Sequence, residues 1–341
     1  MFGGRPRKLP QRFGFVLIPN YSMIALTAAI EPLRLANRAV GSDLYEWCLL
    51  TVDGTPVAAS NGLTLAPVAA METVQEVDSV VVCGGVDVHH HEDRLLLAWL
   101  RRMDRTGAEI GALCTGGHVL ARAGLLNGHR CTIHWENLEG FAEDFPDIEV
   151  SEQLFEVDGK RFTSAGGTAA ADMMLHLIAM QHGHELAGEV AEQIIHERIR
   201  EHGEHQRMSL PARIGVRHPK LLQIIERMQQ NLEEPLGRSD LAREANLSTR
   251  QLERLFRKYL NRSPARYYLE LRLHKARLLL LQTNMSVMNA ALACGFVSAS
   301  HFTKCYRSFF GRTPYRERGL PTQSGTPLIE AREMARVHGS D

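Results

Sequence analysis

The 341-residue sequence predicts two folds in series: an α/β domain built on a mostly parallel sheet, then an all-α domain with two helix-turn-helix motifs. Three observations carry that reading. Short apolar runs alternate with helical stretches through the first half, the pattern of a parallel sheet covered on both faces. A pattern at 248–264 returns at 298–314. Charge also divides: residues 1–211 hold 17 Lys and Arg against 28 Asp and Glu, whereas residues 212–319 hold 20 against 8. The chain is neutral only as a whole. A net of −11 followed by a net of +12 points the second part alone at a polyanion.

The first domain is expected over residues 10–200. Phe13–Ile18 is a short apolar run ending at Pro19-Asn20, hence a buried strand, and residues 22–38 have helical spacing. Tyr45–Val52 reads as a second strand, and Ser79–Cys83 as a third that runs into Gly84-Gly85. Asp93–Thr106 is a helix with Leu95, Leu96, Trp99, Leu100 and Met103 on one side. Ala108–Leu113 is the next strand, turning at once through Cys114-Thr115-Gly116-Gly117 into a helix to Ala123. Arg161–Ala165 leads through Gly166-Gly167-Thr168 into a helix from Ala169 to His182, and Glu185–Arg200 is helical. Ligand sites in such sheets lie beyond the carboxyl ends of the strands. Gly84-Gly85, Cys114-Thr115 and Gly166-Gly167 should therefore share one edge.

Cys114 stands where a strand turns sharply into a helix, a place where backbone N–H groups lower a thiol's pKa. Two readings stay open: a nucleophile with His134 as its base, or a small residue fitting a cramped turn. His89-His90-His91 has no second ligand cluster at metal spacing and reads as a solvated loop, so no metal or other cofactor is expected. Six cysteines without CxxC spacing suit a reducing cytosol. No run of about 18 apolar residues suggests a membrane span, and the polar start suggests no secretory signal. A cytoplasmic protein without a membrane partner is expected.

Residues 201–219 read as a linker, residues 220–319 as the all-α domain, and 320–341 as a disordered tail. Lys220–Asn231 is its first helix. Asp240–Ala245 turns through Asn246-Leu247 into a helix at Ser248; Ala290–Cys294 turns through Gly295-Phe296-Val297 into one at Ser298. The second turn is one residue longer. Both copies open on a helix-capping Ser, keep Leu252 or Phe302 at the fifth place and Phe256 or Tyr306 at the ninth, and close on Arg-Ser/Thr-Pro. Pro264–Gln282 reads as one connecting helix, with Leu269, Leu273, Ala276 and Leu280 buried. Its length of ~28 Å roughly matches the ~34 Å between major-groove faces one turn apart. If Leu252, Leu255, Phe256 and Tyr259 pack inward, Ser248, Thr249, Arg250, Gln251, Arg254 and Lys258 remain for DNA. In the second copy Phe302, Tyr306 and Phe309 face in, leaving Ser298, Ser300, His301, Thr303, Lys304 and Arg307. The more basic first copy should bind more strongly, and the second should be the one whose engagement varies.

These motifs carry two resemblances. Ser248, Arg250, Leu252, Arg254, Phe256, Ser263-Pro264, Arg272-Leu273, Gly295-Phe296, Phe302, Tyr306-Arg307, Phe310-Gly311 and Thr313-Pro314 resemble the AraC/XylS family of transcription regulators. Glu317-Arg318 stands where that family closes on an aromatic-Arg pair, a peripheral departure. Cys114-Thr115-Gly116, Thr132–Trp135 and Thr163–Thr168 resemble the DJ-1/PfpI, or class I glutamine amidotransferase-like, domain, whose sheet is flavodoxin-like. Glu31–Arg34, Val82–Gly85, His134–Glu136 and Tyr267–Leu269 look most like the glycine betaine- and carnitine-responsive branch.

The resemblance implies a regulator, in the main an activator, that binds double-stranded DNA, a small effector and RNA polymerase as a homodimer. It implies a small methylated amine with a carboxylate, held among Gly84, Cys114, Thr115, His134, Trp135 and Glu136. Trp135 would supply an aromatic face, with Trp47 as the other candidate. Catalytic members place a Glu near the Cys in the first helix, where this chain has Ala25, with Glu31 two turns later. Peptidase members have His after the Cys, where this chain has Thr115. A retired enzyme pocket is the expectation; the alternative is a cysteine-dependent hydrolase or amidotransferase fused to a DNA-binding domain.

Overall fold

The computed structural model describes residues 2–318 apart from Arg5, Arg7, His89, His90 and Glu92. Residues 320–341 and most of the histidine run thus lie outside the described residues. The chain divides into two compact units between Gln206 and Arg207.

In the first unit a seven-stranded sheet runs in the order Phe155–Asp158, Arg161–Ser164, Glu109–Leu113, Ser79–Cys83, Gln11–Leu17, Tyr45–Thr51 and Ala69–Ala70. All neighbours are parallel except the first pair. The apolar runs of the sequence are the central strands, because only strands buried on both faces can be apolar throughout. Helices Met23–Val40, Ala169–His182 and His184–Gln193 cover one face around Phe13, Phe15, Leu33 and Met173; Arg94–Thr106, Gly117–Arg122 and Leu138–Asp144 cover the other around Val80, Val82, Trp99 and Ile110. Leu95, expected on the inner side of its helix, is 62% exposed. The antiparallel hairpin at the edge was not anticipated. Its Gly159, at φ +63, sits first in the two-residue turn, which is the signal that marks such hairpins.

The register brings Leu17, Cys83, Leu113 and Ser164 to one edge. The three glycine-rich turns leave from that edge, as the strand order requires.

The helix expected over 185–200 ends at Gln193. Beyond it, the fully buried carboxylate of Asp172 captures the chain: it accepts from His196 Nε2 at 2.8 Å, from the Arg200 backbone N–H at 2.7 Å and from Arg200 Nη2 at 2.6 Å. A buried charge so surrounded outweighs the helical preference of a few residues. Residues 201–206 of the expected linker continue on this unit, with Leu154 N–H donating to Glu204 O at 3.0 Å. Leu210 and Val216, also within it, are buried in the core of the second unit.

The second unit is all helical. Pro219–Gln230, Arg238–Glu244 and Thr249–Leu260 share one core with Tyr268. Val287–Leu292 and Ala299–Phe310 share another with Leu273, Ala276, Leu279 and Leu280 of the connecting helix. That helix spans Pro264–Gln282, and Leu269 is partly buried against the second core. The left-handed residue of each turn is Asn246, two before the capping Ser248, and Gly295, three before Ser298. The extra residue in the second turn is real.

Glu317 corrects the reading of a peripheral departure. It is 2% exposed, and its carboxylate lies 3.0 Å from Arg277 and 3.2 Å from Arg312. Glu270 does the same in the first copy, between Arg262 at 2.7 Å and Arg266 at 2.9 Å. In each copy, the arginine before Ser/Thr-Pro is pinned by a buried glutamate of the next helix.

Candidate functional sites

The glycines at the sheet edge are there for close approach. A Cβ on Gly84 would overlap the Gly116 nitrogen, and one on Gly166 would lie 2.7 Å from the Cys114 Cβ. Thr115 Oγ1 donates to Gly85 O at 2.6 Å, tying two of the turns together. Cys114 itself takes φ +57, a left-handed backbone unusual for a side chain this size. Gly84, Cys114 and Thr115 are therefore brought to one elbow.

The expected lowering of the Cys114 pKa does not occur. Burial pushes the thiol up to about 12, the Glu136 carboxylate adds to the rise, and the Thr115 N–H opposes it only in part. Desolvation of a thiolate outweighs one peptide dipole. His134 is also kept neutral: burial drives it down to about 4. Its Nδ1 accepts the Glu136 N–H at 3.4 Å, so Nε2 carries the proton. Among the described residues, no hydrogen bond joins His134 to Cys114. Glu31 is on the surface, paired with Arg34 at 2.6 Å, while Ala25 is buried in the core.

Trp135 and Glu136 lie half-buried in a single turn, Trp135–Asn137, with the Trp135 ring 5.6 Å from that of His134. Trp47 is partly buried against the core of its strand. Residues that sequence reasoning passed over complete the surroundings. Gln206 Nε2 donates to Thr132 Oγ1 and Ile133 O, both at 2.9 Å, just before His134. Arg200 Nη2 donates to Thr168 Oγ1 at 2.7 Å, just after the Gly166 turn. No local signal marks these partners, since each bond spans 32 to 74 residues.

In the second unit, each repeated helix presents an open face. Ser248, Thr249, Arg250, Gln251, Arg254 and Lys258 are exposed, while Leu252 and Phe256 are buried. Several arginines of this unit are committed to carboxylates: Arg227 to Glu244, Arg238 to Glu253, Arg243 to Asp240. Among the described residues, no carboxylate pairs with Arg250 or Arg254. Ser248 and Gln251 instead cap their own helix: Ser248 Oγ accepts the Gln251 N–H at 3.2 Å, and Gln251 Oε1 accepts the Ser248 N–H at 2.7 Å. The donors of both side chains remain for a ligand. Tyr259, expected inward, is 37% exposed and rests against His218 with ring centres 5.3 Å apart.

On the second helix, Ser298, Ser300, His301, Lys304 and Arg307 are exposed and Thr303 partly so. Ser300, Thr303, Lys304, Arg307, Ser308 and Thr313 line a concavity of about 760 Å³. His301 Nε2 lies 3.4 Å from Cys305 Sγ, so its ring leans along the helix.

No helix among the described residues is long and apolar enough to cross a membrane. The DJ-1/PfpI family matches residues 22–180, and a family described as a helix-turn-helix domain matches residues 241–319. The HTH-type transcriptional regulator GbdR of Pseudomonas aeruginosa is 49% identical over 321 residues, covering 94% of this chain and 87% of that protein. An isonitrile hydratase of Pseudomonas putida is 32% identical over 168 residues, 49% of this chain and 70% of that one. A crystal structure of an AraC family transcriptional regulator from Pseudomonas putida aligns with a TM-score of 0.50 at 30% identity, over 54% of this chain and 100% of that one. The chain belongs to the AraC-type helix-turn-helix transcriptional regulators that carry a DJ-1/PfpI domain ahead of their DNA-binding unit.

Proposed function

We propose that this regulator binds double-stranded operator DNA through the two open helix faces, under the control of a small betaine-type effector held at the Cys114 elbow. The observation that carries the DNA reading is the exposure of Arg250 and Arg254 on the open side of a helix whose other side is buried through Leu252 and Phe256. Residues at each helix start meet base edges; Lys258, Lys304 and Arg307, further along, meet phosphates. The resemblance to the betaine- and carnitine-responsive branch supports glycine betaine, dimethylglycine or carnitine as effector. Such a cation has little to donate, so it needs an aromatic face and a nearby anion. Trp135 and Glu136 supply these, and a desolvated cation–π contact contributes ~2 kcal/mol. The N–H groups after Cys114 receive the carboxylate.

The effector signal has a physical route. Residues 196–206 are stitched to Thr168 and Asp172 at one end and to Thr132 and Ile133 at the other. Both attachment points adjoin elbow segments, and the chain passes straight on to the DNA-binding unit. We read the protein as a cytoplasmic activator that works as a homodimer and contacts RNA polymerase.

We also read the elbow as non-catalytic. The strained Cys114 and the hydratase relative favour the enzyme alternative; a neutral thiol with no bond to His134 favours sensing. Cys114→Ala separates the two, since a sensor keeps its effector response and an enzyme loses turnover. The effector class is tested by thermal shift against glycine betaine, dimethylglycine, carnitine and arginine. At about 100-fold over Kd, a bound effector adds about 2.7 kcal/mol of stability. A melting rise with a methylated amine, weakened by Glu136→Gln, is expected. Stabilisation by none of the panel would overturn the assignment.

A further inference from the structure

Val297 is 92% exposed, although it directly precedes the cap of the second reading helix. Isolated exposed valines are ordinary; this one is distinguished by how firmly it is held outward. Phe296 before it is buried at 1%. Arg272 clamps the turn beneath, donating to Cys294 O at 2.7 Å and to Gly295 O at 2.6 Å, with its guanidinium 4.2 Å from the centre of the Phe296 ring. Gly295 sits at φ +72, and a Cβ there would lie 2.7 Å from Leu232 O and Glu233 O. Ser298 Oγ then fixes the helix start by accepting the His301 N–H at 3.4 Å. A rigid support on both sides leaves the valine side chain one direction, outward at the leading edge.

The first copy differs at the same place. Leu247, which precedes the cap there, is partly buried against its own core and matches Phe296, since its N–H donates to Ala242 O at 2.8 Å as that of Phe296 does to Ala291 O at 2.9 Å. The leading edge is polar and charged, with Thr249 and Arg250. The longer second turn keeps the anchor, as Phe296, and adds Val297 as a displayed residue with no counterpart in the first copy. Behind Val297 come Ala299 and Ser300, both exposed, and charge begins only at Lys304. The leading edge of a reading helix meets base edges. An apolar group there matches one feature of the major groove, the thymine C5-methyl.

We propose that Val297 reads a thymine methyl, so that the second head selects its half-site by hydrocarbon contact where the first uses the Arg250 guanidinium. This rests on the DNA reading above. Uracil differs from thymine only by that methyl, which makes the test specific. Duplexes are selected from a random pool with the full-length protein, and each thymine of the recovered site is replaced in turn by uracil. At one thymine the wild type should lose affinity about three- to fivefold, the factor for one buried methyl-sized group. Val297→Ala should bind the thymine duplex more weakly by a similar factor and should not distinguish thymine from uracil there. Its melting temperature should match the wild type, since the side chain touches solvent. Uracil without effect at every position, or effects of uracil and Val297→Ala that simply add, would overturn the proposal. Failure to recover any site, or undiminished binding by Arg250→Ala, would instead overturn the DNA reading on which it stands.

Discussion

In the first unit, Cys114 and His134 sit where burial keeps both uncharged, one pushed up to about 12 and the other down to about 4. In the second, Arg250 and Arg254 stand on an open helix face with no carboxylate bound to either among the described residues. Both pairs are chemically capable groups on or beside a helix, and Cys114 and Arg250 stand at the start of one. The difference lies in what surrounds them. At the elbow, Gly84, Gly116 and Gly166 let backbone close in around a partly buried sulfur, and a thiolate there loses much of its solvation. On the reading helices, buried aromatics fill one side only, so the cations keep their water until a polyanion replaces it. Position at a helix N-terminus therefore does not by itself make a reactive cysteine.

The most damaging way to break this contrast is to remove the buried anion of the first unit. Asp172→Ala leaves Arg200 and His196 without their shared partner, and about 3–5 kcal/mol of that unit's stability should go. Calorimetry should show its transition fall, and effector control of DNA binding should be lost with the 196–206 attachment. On the open face the effects are smaller and selective. Arg250→Ala should cost about 1–3 kcal/mol of operator affinity and relax specificity at one base position, whereas Lys258→Ala should weaken all sequences alike and lower the salt slope by about one.

The smallest effect near neutrality, growing as the solution is acidified, is a pH dependence. His134 and His274 each titrate near 4 in the folded chain, against 6.5 in an unfolded one. Between those values the unfolded chain binds a proton that the fold excludes, so stability falls as pH drops from about 6.5 toward 4. Burial is the leading cause for both. Melting temperature measured across that window should decline in wild type, and His134→Gln should flatten the part that belongs to the first unit.

Much of the architecture was legible in the sequence because it rests on local rules. Doubly buried strands are apolar throughout, Ser caps helices, and Pro264 opens the connecting helix at the residue expected. The hidden parts depend on distance in sequence. Nothing near Asp172 announces Arg200, and nothing near Thr132 announces Gln206. Glu317 looked like a marginal replacement because its two arginines, Arg277 and Arg312, meet it only in three dimensions. The elbow itself could be located by its glycines, but the charge state of Cys114 could not. That depends on how closely three separate turns pack around the sulfur.

The central claim is that a small methylated amine at the Cys114 elbow governs how the two heads engage DNA. Operator affinity of the full-length protein, titrated with glycine betaine, dimethylglycine and carnitine, tests it most directly. At least one of these should shift the affinity of the wild type, and Glu136→Gln should lose that shift while keeping its affinity without effector. An operator affinity unmoved by all three would contradict the account.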